Sequence, residues 1–189
     1  MRTLVSRFLT VALAIALIFT SPLPAVAQPL PAVHPVAVLP GLKGAFTGQK
    51  PDNIGVQAGH LASCPASPNC VVSQGADADH AIAPLQYTTD LATARANLLD
   101  ILSVVPRTKV VSQSDHYILA ESESRLMGFV DDSEFYFPED EKVIQVRAAA
   151  RMGESDLGVN RRRIEQIRLA FLDLEKRAAA DGQSSNAGS

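Results

Sequence analysis

The sequence predicts an α+β fold, a two-layer sandwich in which two helices cover one face of an antiparallel sheet of about five strands. Two stretches repeat apolar residues at helical spacing, and each has a single apolar stripe. Between them lie four segments in which apolar and polar residues alternate, separated by turns. Because a helix with one stripe must bury it against another layer, both helices are expected on the same face of the sheet.

The first strand and the first helix precede the run of strands. Residues 85–87 are a short strand candidate. Thr88 or Thr89 is expected to cap the helix that follows, with Asp90 in its first turn. Pro106 ends this helix, because proline lacks the backbone donor that a helix interior needs. The apolar face of the helix consists of Leu91, Ala94, Leu98, Ile101, Leu102 and Val105.

Four strands and a final helix complete the predicted domain. The strands are assigned to residues 108–113, 116–122, 125–137 and 142–151, with short polar or acidic turns between neighbours. The last helix begins near Asn160, a residue type that favours the cap position. Its apolar face consists of Ile164, Ile167, Phe171 and Leu174.

Alternation along the last two strands places acids and arginines on one face of the sheet. Asp132 and Glu134 share a face of the third strand, and Arg147 and Arg151 share a face of the fourth. In the simplest meander these four side chains project onto the same face of the sheet, whereas Asp131 projects onto the other. This face can be wet or can receive a ligand, because both helices are assigned to the opposite one.

Residues 1–27 predict a secretory signal peptide. Two arginines precede an apolar run at residues 8–19, and Ala25 and Ala27 frame a small-residue cleavage site. The alternative is a membrane anchor, but the run is shorter than the roughly 20 residues that a spanning helix needs. We therefore expect export to the periplasm, the extracellular space or the thylakoid lumen, with no transmembrane span after cleavage.

The charge of the chain argues against a nucleic-acid partner. The formal net charge is −3, and the signal peptide holds two arginines but no acid, so the mature chain is more acidic still. A protein that binds nucleic acid through its phosphates usually has a basic surface instead. The predicted organisation is a signal peptide (1–27), an arm rich in Pro, Gly and Ala (28–52), one α+β domain (53–177) and a disordered tail (178–189).

Cys64 and Cys70 are the only cysteines, and they flank a proline-rich turn. In an oxidising compartment such a pair is expected to form a disulfide. The alternative is a metal site that adds His80 and an aspartate, Asp77 or Asp79. Structural zinc sites usually have the tight C-x-x-C spacing, which is absent here. We therefore predict a disulfide and no metal site.

Three strings stand out between residues 53 and 172: CPASPNCV, GFVDDSEFYF and VIQVRAAARMGESDLGVNRRRIEQIR. Together with their spacing, they resemble the family catalogued as domain of unknown function 1499. The family usually has Ser where this chain has Ala148 and Ala150, which argues against a chemical need for those hydroxyls. The resemblance implies an exported or organelle-lumen protein of bacteria, algae or plants with a shared fold and site, but no reaction. The residues that match the family's motifs are Cys64, Pro65, Pro68, Asn69, Cys70, Phe129, Asp131, Asp132, Arg147, Arg151, Gly153, Asp156, Gly158, Asn160 and Arg163.

Three interpretations of the polar residues remain open. In the first, the acids and arginines pair with one another or cap the last helix, and the cluster is structural. In the second, the sheet face binds a small anionic or amphipathic ligand, or an envelope protein, through the arginines. In the third, the protein is an enzyme with Asp132 or Glu134 as the acid-base group. Arg147 and Arg151 would then stabilise negative charge that develops on the substrate.

We favour a non-catalytic binding or assembly module that uses the sheet face, because the sequence contains no Ser-His-Asp set, P-loop or Rossmann glycine pattern. Within it, Arg151 is expected to act as a structural clamp and Arg147 to contact a ligand or partner. No cofactor is predicted. The predicted ligand-binding residues are Asp131, Asp132, Glu134, Arg147, Arg151, Asp156, Asn160 and Arg163.

Overall fold

The computed structural model describes residues 44–186, and their side chains as far as residue 180. The predicted signal peptide therefore lies outside the described residues, as do most of the arm and the last three residues of the tail. The elements follow one another as β1 (Cys70–Val72), β2 (Leu85–Gln86), α1 (Leu91–Val104), β3 (Thr108–Gln113), β4 (Tyr117–Glu123), β5 (Val130–Tyr136), β6 (Val143–Ala150) and α2 (Val159–Asn186).

The strands form one antiparallel sheet in the order β1-β6-β5-β4-β3. β1 pairs with residues 147–149 of β6, and β2 pairs with residues 143–144 of the same strand. The α+β prediction is confirmed, with six strands in place of about five. The sequence analysis missed β1, whose three residues are too few to show alternation. Helix α2 continues to Asn186, into the segment predicted to be disordered, where three consecutive alanines favour helix.

Two local predictions were wrong, and hydrogen bonds explain both. The third strand begins at Val130, not at residue 125, because residues 124–128 form a turn in which Gly128 N donates to Ser124 O over 3.3 Å. Gly128 has a φ of +73°, a conformation that suits glycine. The cap of α1 is Asp90, whose carboxylate accepts from Thr93 N over 2.9 Å.

Both helices pack on the same face of the sheet, as predicted. The core that they form with the sheet is centred on Phe135, Phe137 and Phe171, which are all 0% exposed. The residues predicted to face the sheet from α1 and α2 are buried or packed against this core. Because this face is filled by side chains, any site must lie on the other face or at an end of the sheet.

The second face of the sheet is also closed, contrary to the expectation of an open face. The chain segment at residues 44–61, which precedes β1, lies against it. Gly55 N donates to the Glu134 carboxylate over 2.7 Å. A Cβ atom added to Gly48 would lie 2.7 Å from the Arg151 Cβ, so only glycine permits this close approach. Phe46 packs its ring on Phe129 at a centroid distance of 5.4 Å.

Candidate functional site

The predicted site residues separate into two groups. The first is a buried ion pair on the second face, where Glu134 lies directly opposite Arg147 in the register of β5 and β6. Arg147 Nη1 donates to Glu134 Oε2 over 3.0 Å. Glu134 Oε1 accepts from Tyr117 Oη over 2.8 Å and from Gly55 N over 2.7 Å. Burial and the neighbouring Glu134 raise the pKa of the Tyr117 hydroxyl, so this group stays a donor.

Arg151 holds the second ion-pair cluster of this face. Its Nε and Nη2 each donate to one oxygen of Asp132, both over 2.7 Å, and Nη2 also donates to Glu121 Oε1 over 2.6 Å. The hydrogen bonds with Asp132 raise the pKa of the Arg151 guanidinium further above its ordinary value. This bidentate geometry is that of a clamp, as the sequence analysis expected for Arg151.

None of the four residues Asp132, Glu134, Arg147 and Arg151 lines any of the cavities described below. Arg147 is 3% exposed, and its Nε has no hydrogen-bond partner among the residues that the structure describes. The geometry therefore assigns these four residues to the closure of the second face. Ligand contact by Arg147 stays a prediction.

The second group lies where β5 starts and α2 begins. Arg163 Nη2 donates to Asp131 Oδ2 over 2.8 Å, and Arg163 Nη1 donates to Asn160 Oδ1 over 2.8 Å. Asp156 accepts from Gly158 N over 2.9 Å and from Asn160 N over 2.7 Å. The side chain that accepts from backbone donors at the start of α2 is therefore that of Asp156, whereas Asn160, the predicted cap, lies inside the helix.

The loop that Cys64 and Cys70 close is hydrogen-bonded to this second group. Cys64 and Cys70 form a disulfide, as predicted. Beside it, the Asn69 amide donates to Gly153 O over 2.5 Å, and Asn160 Nδ2 donates to Asn69 O over 3.3 Å. The disulfide loop thereby fixes the position of the loop between β6 and α2.

His80 lies after β1, and its ring contacts an acid and a backbone oxygen of the disulfide loop. Its Nδ1 pairs with Asp77 Oδ1 at 2.8 Å, and its Nε2 lies 3.2 Å from Ser67 O. The hydrogen bond with Asp77 raises the pKa of the His80 imidazole. Within the described part of the chain, no group of three or more His, Cys, Asp and Glu side chains is placed to hold a metal ion.

Asp131 is the one predicted residue that lines two cavities. It is 8% exposed, and burial is the main reason that its pKa is raised, with Arg163 opposing and Asp156 adding to the shift. Arg163 binds only Oδ2. No donor among residues 44–180 reaches Oδ1, so this oxygen can accept a hydrogen bond from a ligand.

The two cavities beside Asp131 adjoin one another. The first has a volume of about 150 Å³ and a mainly apolar wall that includes Phe129, Met152 and Val159. The second is a groove of about 380 Å³. Ser124, Asp131 and Val159 line both, so the cavities are adjacent, and together they are called here the Asp131 cleft.

The groove part of the Asp131 cleft is basic. Four arginines line it against two acids, Glu123 and Asp131. Sequence reasoning did not identify most of this lining, because the tertiary structure brings it together from the end of α1, the 124–128 turn and the start of α2. A usable signal was the string SESRLMGF, where a serine-rich turn places an arginine beside exposed apolar residues. The four arginines are Arg107, Arg125, Arg162 and Arg163.

Comparison with known proteins gives one match. A family model described as "Protein of unknown function (DUF1499)" matches residues 60–171. This span includes the disulfide loop, the six strands described above and α2 as far as Phe171, and it covers all eight predicted site residues. No curated protein and no solved structure matches the chain significantly. Within the described residues, no helix has the length and apolar content needed to cross a membrane. The match confirms the resemblance noted in the sequence, and the chain belongs to the DUF1499 family.

Proposed function

We propose that this protein is an exported, non-catalytic binding module that holds an amphipathic ligand with an anionic group in the Asp131 cleft. The observation that carries the proposal is that an apolar cavity and an arginine-lined groove adjoin and share three lining residues. Export is supported by the disulfide, because disulfides persist in oxidising compartments.

The apolar cavity suits the hydrophobic part of such a ligand. Its wall presents Phe129, Met152 and Val159, and its volume of about 150 Å³ is enough for a ring or a short alkyl chain. Asp131 Oδ1 adds one hydrogen-bond acceptor at this wall. Because Arg163 neutralises the Asp131 charge, the acid does not repel an anionic ligand strongly.

The groove suits the anionic part. Arg125 is exposed and donates to no residue in the described part of the chain. Arg107 uses only its Nε, for Glu123 O, and Arg162 uses only Nη1, for Leu157 O. The remaining guanidinium donors are available to a phosphate, sulfate or carboxylate, which they bind with paired hydrogen bonds.

The enzyme alternative finds less support. It assigned acid-base chemistry to Asp132 and Glu134, but every oxygen of both carboxylates already accepts a hydrogen bond from the protein. Neither side chain lines a cavity, so a substrate would have to break a buried ion pair to reach it. This cost favours the binding module.

Isothermal titration calorimetry with three probes tests the proposal on protein purified after export. The probe n-hexyl phosphate combines both chemical features, whereas 1-hexanol and inorganic phosphate each provide one. We expect n-hexyl phosphate to bind at least about tenfold more tightly than inorganic phosphate, since two buried methylene groups already contribute about that factor. It should also bind more tightly than 1-hexanol, because only the phosphate accepts paired hydrogen bonds from the arginines. Arg125→Gln should weaken its binding.

Arg177→Gln is the matched control, because Arg177 is an exposed arginine on α2, paired with Asp173 away from the cleft. It should bind n-hexyl phosphate as the wild type does. The proposal is wrong if inorganic phosphate binds as tightly as n-hexyl phosphate, or if none of the probes binds at millimolar concentration.

A further inference from the structure

The exposed large apolar side chains are concentrated at one end of the domain. This end is where α1 finishes, β3 begins, β4 finishes, β5 begins, β6 finishes and α2 begins. The other exposed large apolar side chains that the structure describes are Val111 on β3 and Leu169 and Leu172 on α2. The members of the end cluster are Val104, Leu126, Met127, Met152, Leu157 and Val159.

Two strongly exposed members of the cluster, Leu126 and Leu157, lie on loops that hydrogen bonds hold in place. Leu126 is 65% exposed on the 124–128 turn, where Phe129 N donates to Ser124 Oγ over 3.0 Å. Leu157 is 82% exposed and has a φ of +54°. A non-glycine residue in this region is strained, and an apolar one gains nothing from exposure to water. Nothing in the fold of the isolated domain therefore explains why a leucine occupies position 157.

Exposed arginines lie near the same loops. Arg107, Arg125 and Arg162 are exposed at this end. The acids there are Glu123, Asp131, Glu154 and Asp156. Asp131 is paired with Arg163, and Asp156 accepts from backbone donors at the start of α2. The arginines face the groove beside the 124–128 turn, so basic and apolar groups are combined on one surface, as in proteins that lie on a lipid interface.

The described chain also starts at this end. A Cβ atom on Gly128 would lie 3.9 Å from Gly44 N, so the first described residue lies beside the 124–128 turn.

We propose that this end of the domain docks on the surface of a phospholipid bilayer. The tips, meaning Leu126, Met127 and Leu157, insert among the headgroups, and the exposed arginines contact lipid phosphates. The surface goes beyond the proposed ligand site, because the tips project outside the apolar cavity. Docking would place the opening of the Asp131 cleft against the bilayer, and an amphipathic ligand could then enter the cleft from the bilayer.

Vesicle flotation tests the docking with the purified protein, after mass spectrometry has established whether residues 1–27 are present. The vesicles are phosphatidylcholine, and phosphatidylcholine with one-fifth phosphatidylglycerol. The test variant combines Leu126→Ser with Leu157→Asn, since asparagine tolerates a positive φ better than leucine. The control is Leu169→Ser, which removes a leucine that is 68% exposed on α2.

We expect the wild type and the Leu169→Ser variant to float with both kinds of vesicle, and the double variant to lose at least tenfold in vesicle partition while keeping its Tm. The double variant should still bind n-hexyl phosphate, which separates docking from the ligand site. Docking is refuted if the wild type stays unbound at low salt, or if the double variant floats as well as the wild type. It is also refuted if the double substitution instead converts a dimer to a monomer in sedimentation, which would identify the patch as a self-association surface.

Discussion

Replacing Arg147 by methionine should destabilise the fold strongly, because it leaves a buried carboxylate without its counter-ion. Glu134 is 0% exposed and would keep only the donors from Tyr117 and Gly55. Removal of one partner from such a pair typically costs about 3–5 kcal/mol. With a urea m-value of about 2 kcal/mol/M, the midpoint of unfolding should fall by roughly 2 M.

A double variant distinguishes the stranded charge from lost packing. Arg147→Met with Glu134→Leu removes both charges, so it should be more stable than Arg147→Met alone, as expected when apolar residues replace a whole buried pair. Arg177→Met is the control, because its pair with Asp173 is exposed and should contribute less than about 1 kcal/mol. Urea unfolding followed by circular dichroism measures all three. A loss below about 1 kcal/mol for Arg147→Met would show that water reaches the second face in solution, and the reasoning would be refuted.

Three further predictions concern the core, the disulfide and Asp131. Phe171→Ala should lower the free energy of unfolding by about 3–5 kcal/mol, since the ring is 0% exposed; a loss below half a kilocalorie in urea unfolding would contradict the packing of α2. Thiol titration of denatured, unreduced protein should find no free thiol, and two free thiols would disprove the bridge. The pKa of Asp131 is raised above its ordinary value of 3.8, so the folded state binds more protons than the unfolded state between the two pKa values. The unfolding free energy of the wild type relative to Asp131→Asn should therefore fall as pH rises above about 3.8, and a rise would show that the pKa is depressed.

The sequence predicted those parts of the structure that depend on local periodicity. The apolar stripe of α1 sufficed to predict which side of that helix packs on the sheet. The alternation of β5 and β6 sufficed to place Asp132, Glu134, Arg147 and Arg151 on one face. The partners within that face could not be predicted, because they depend on the strand register. Glu134 faces Arg147 directly, whereas Asp132 lies opposite Ala149 and is reached diagonally by the long side chain of Arg151.

The closure of the second face was not predictable, because the covering segment at residues 44–61 has no periodicity. Its position depends on contacts across the fold, such as the Gly55 hydrogen bond and the close approach of Gly48 to Arg151. The Asp131 cleft was missed for a similar reason. In the sequence, residues 124–128 continue the alternation of a strand. In the structure, the turn hydrogen bonds and the positive φ of Gly128 end the strand pairing there.

A titration of ¹⁵N-labelled protein with n-hexyl phosphate, followed by amide chemical shifts, distinguishes binding in the Asp131 cleft from binding on the second face. If the second face is closed and the ligand binds in the cleft, the amide signals of Ser124, Gly153 and Val159 move with the probe, while those of Gln145 and Arg147 stay in place. Shifts confined to Gln145 and Arg147, with none around Ser124, would contradict binding in the cleft.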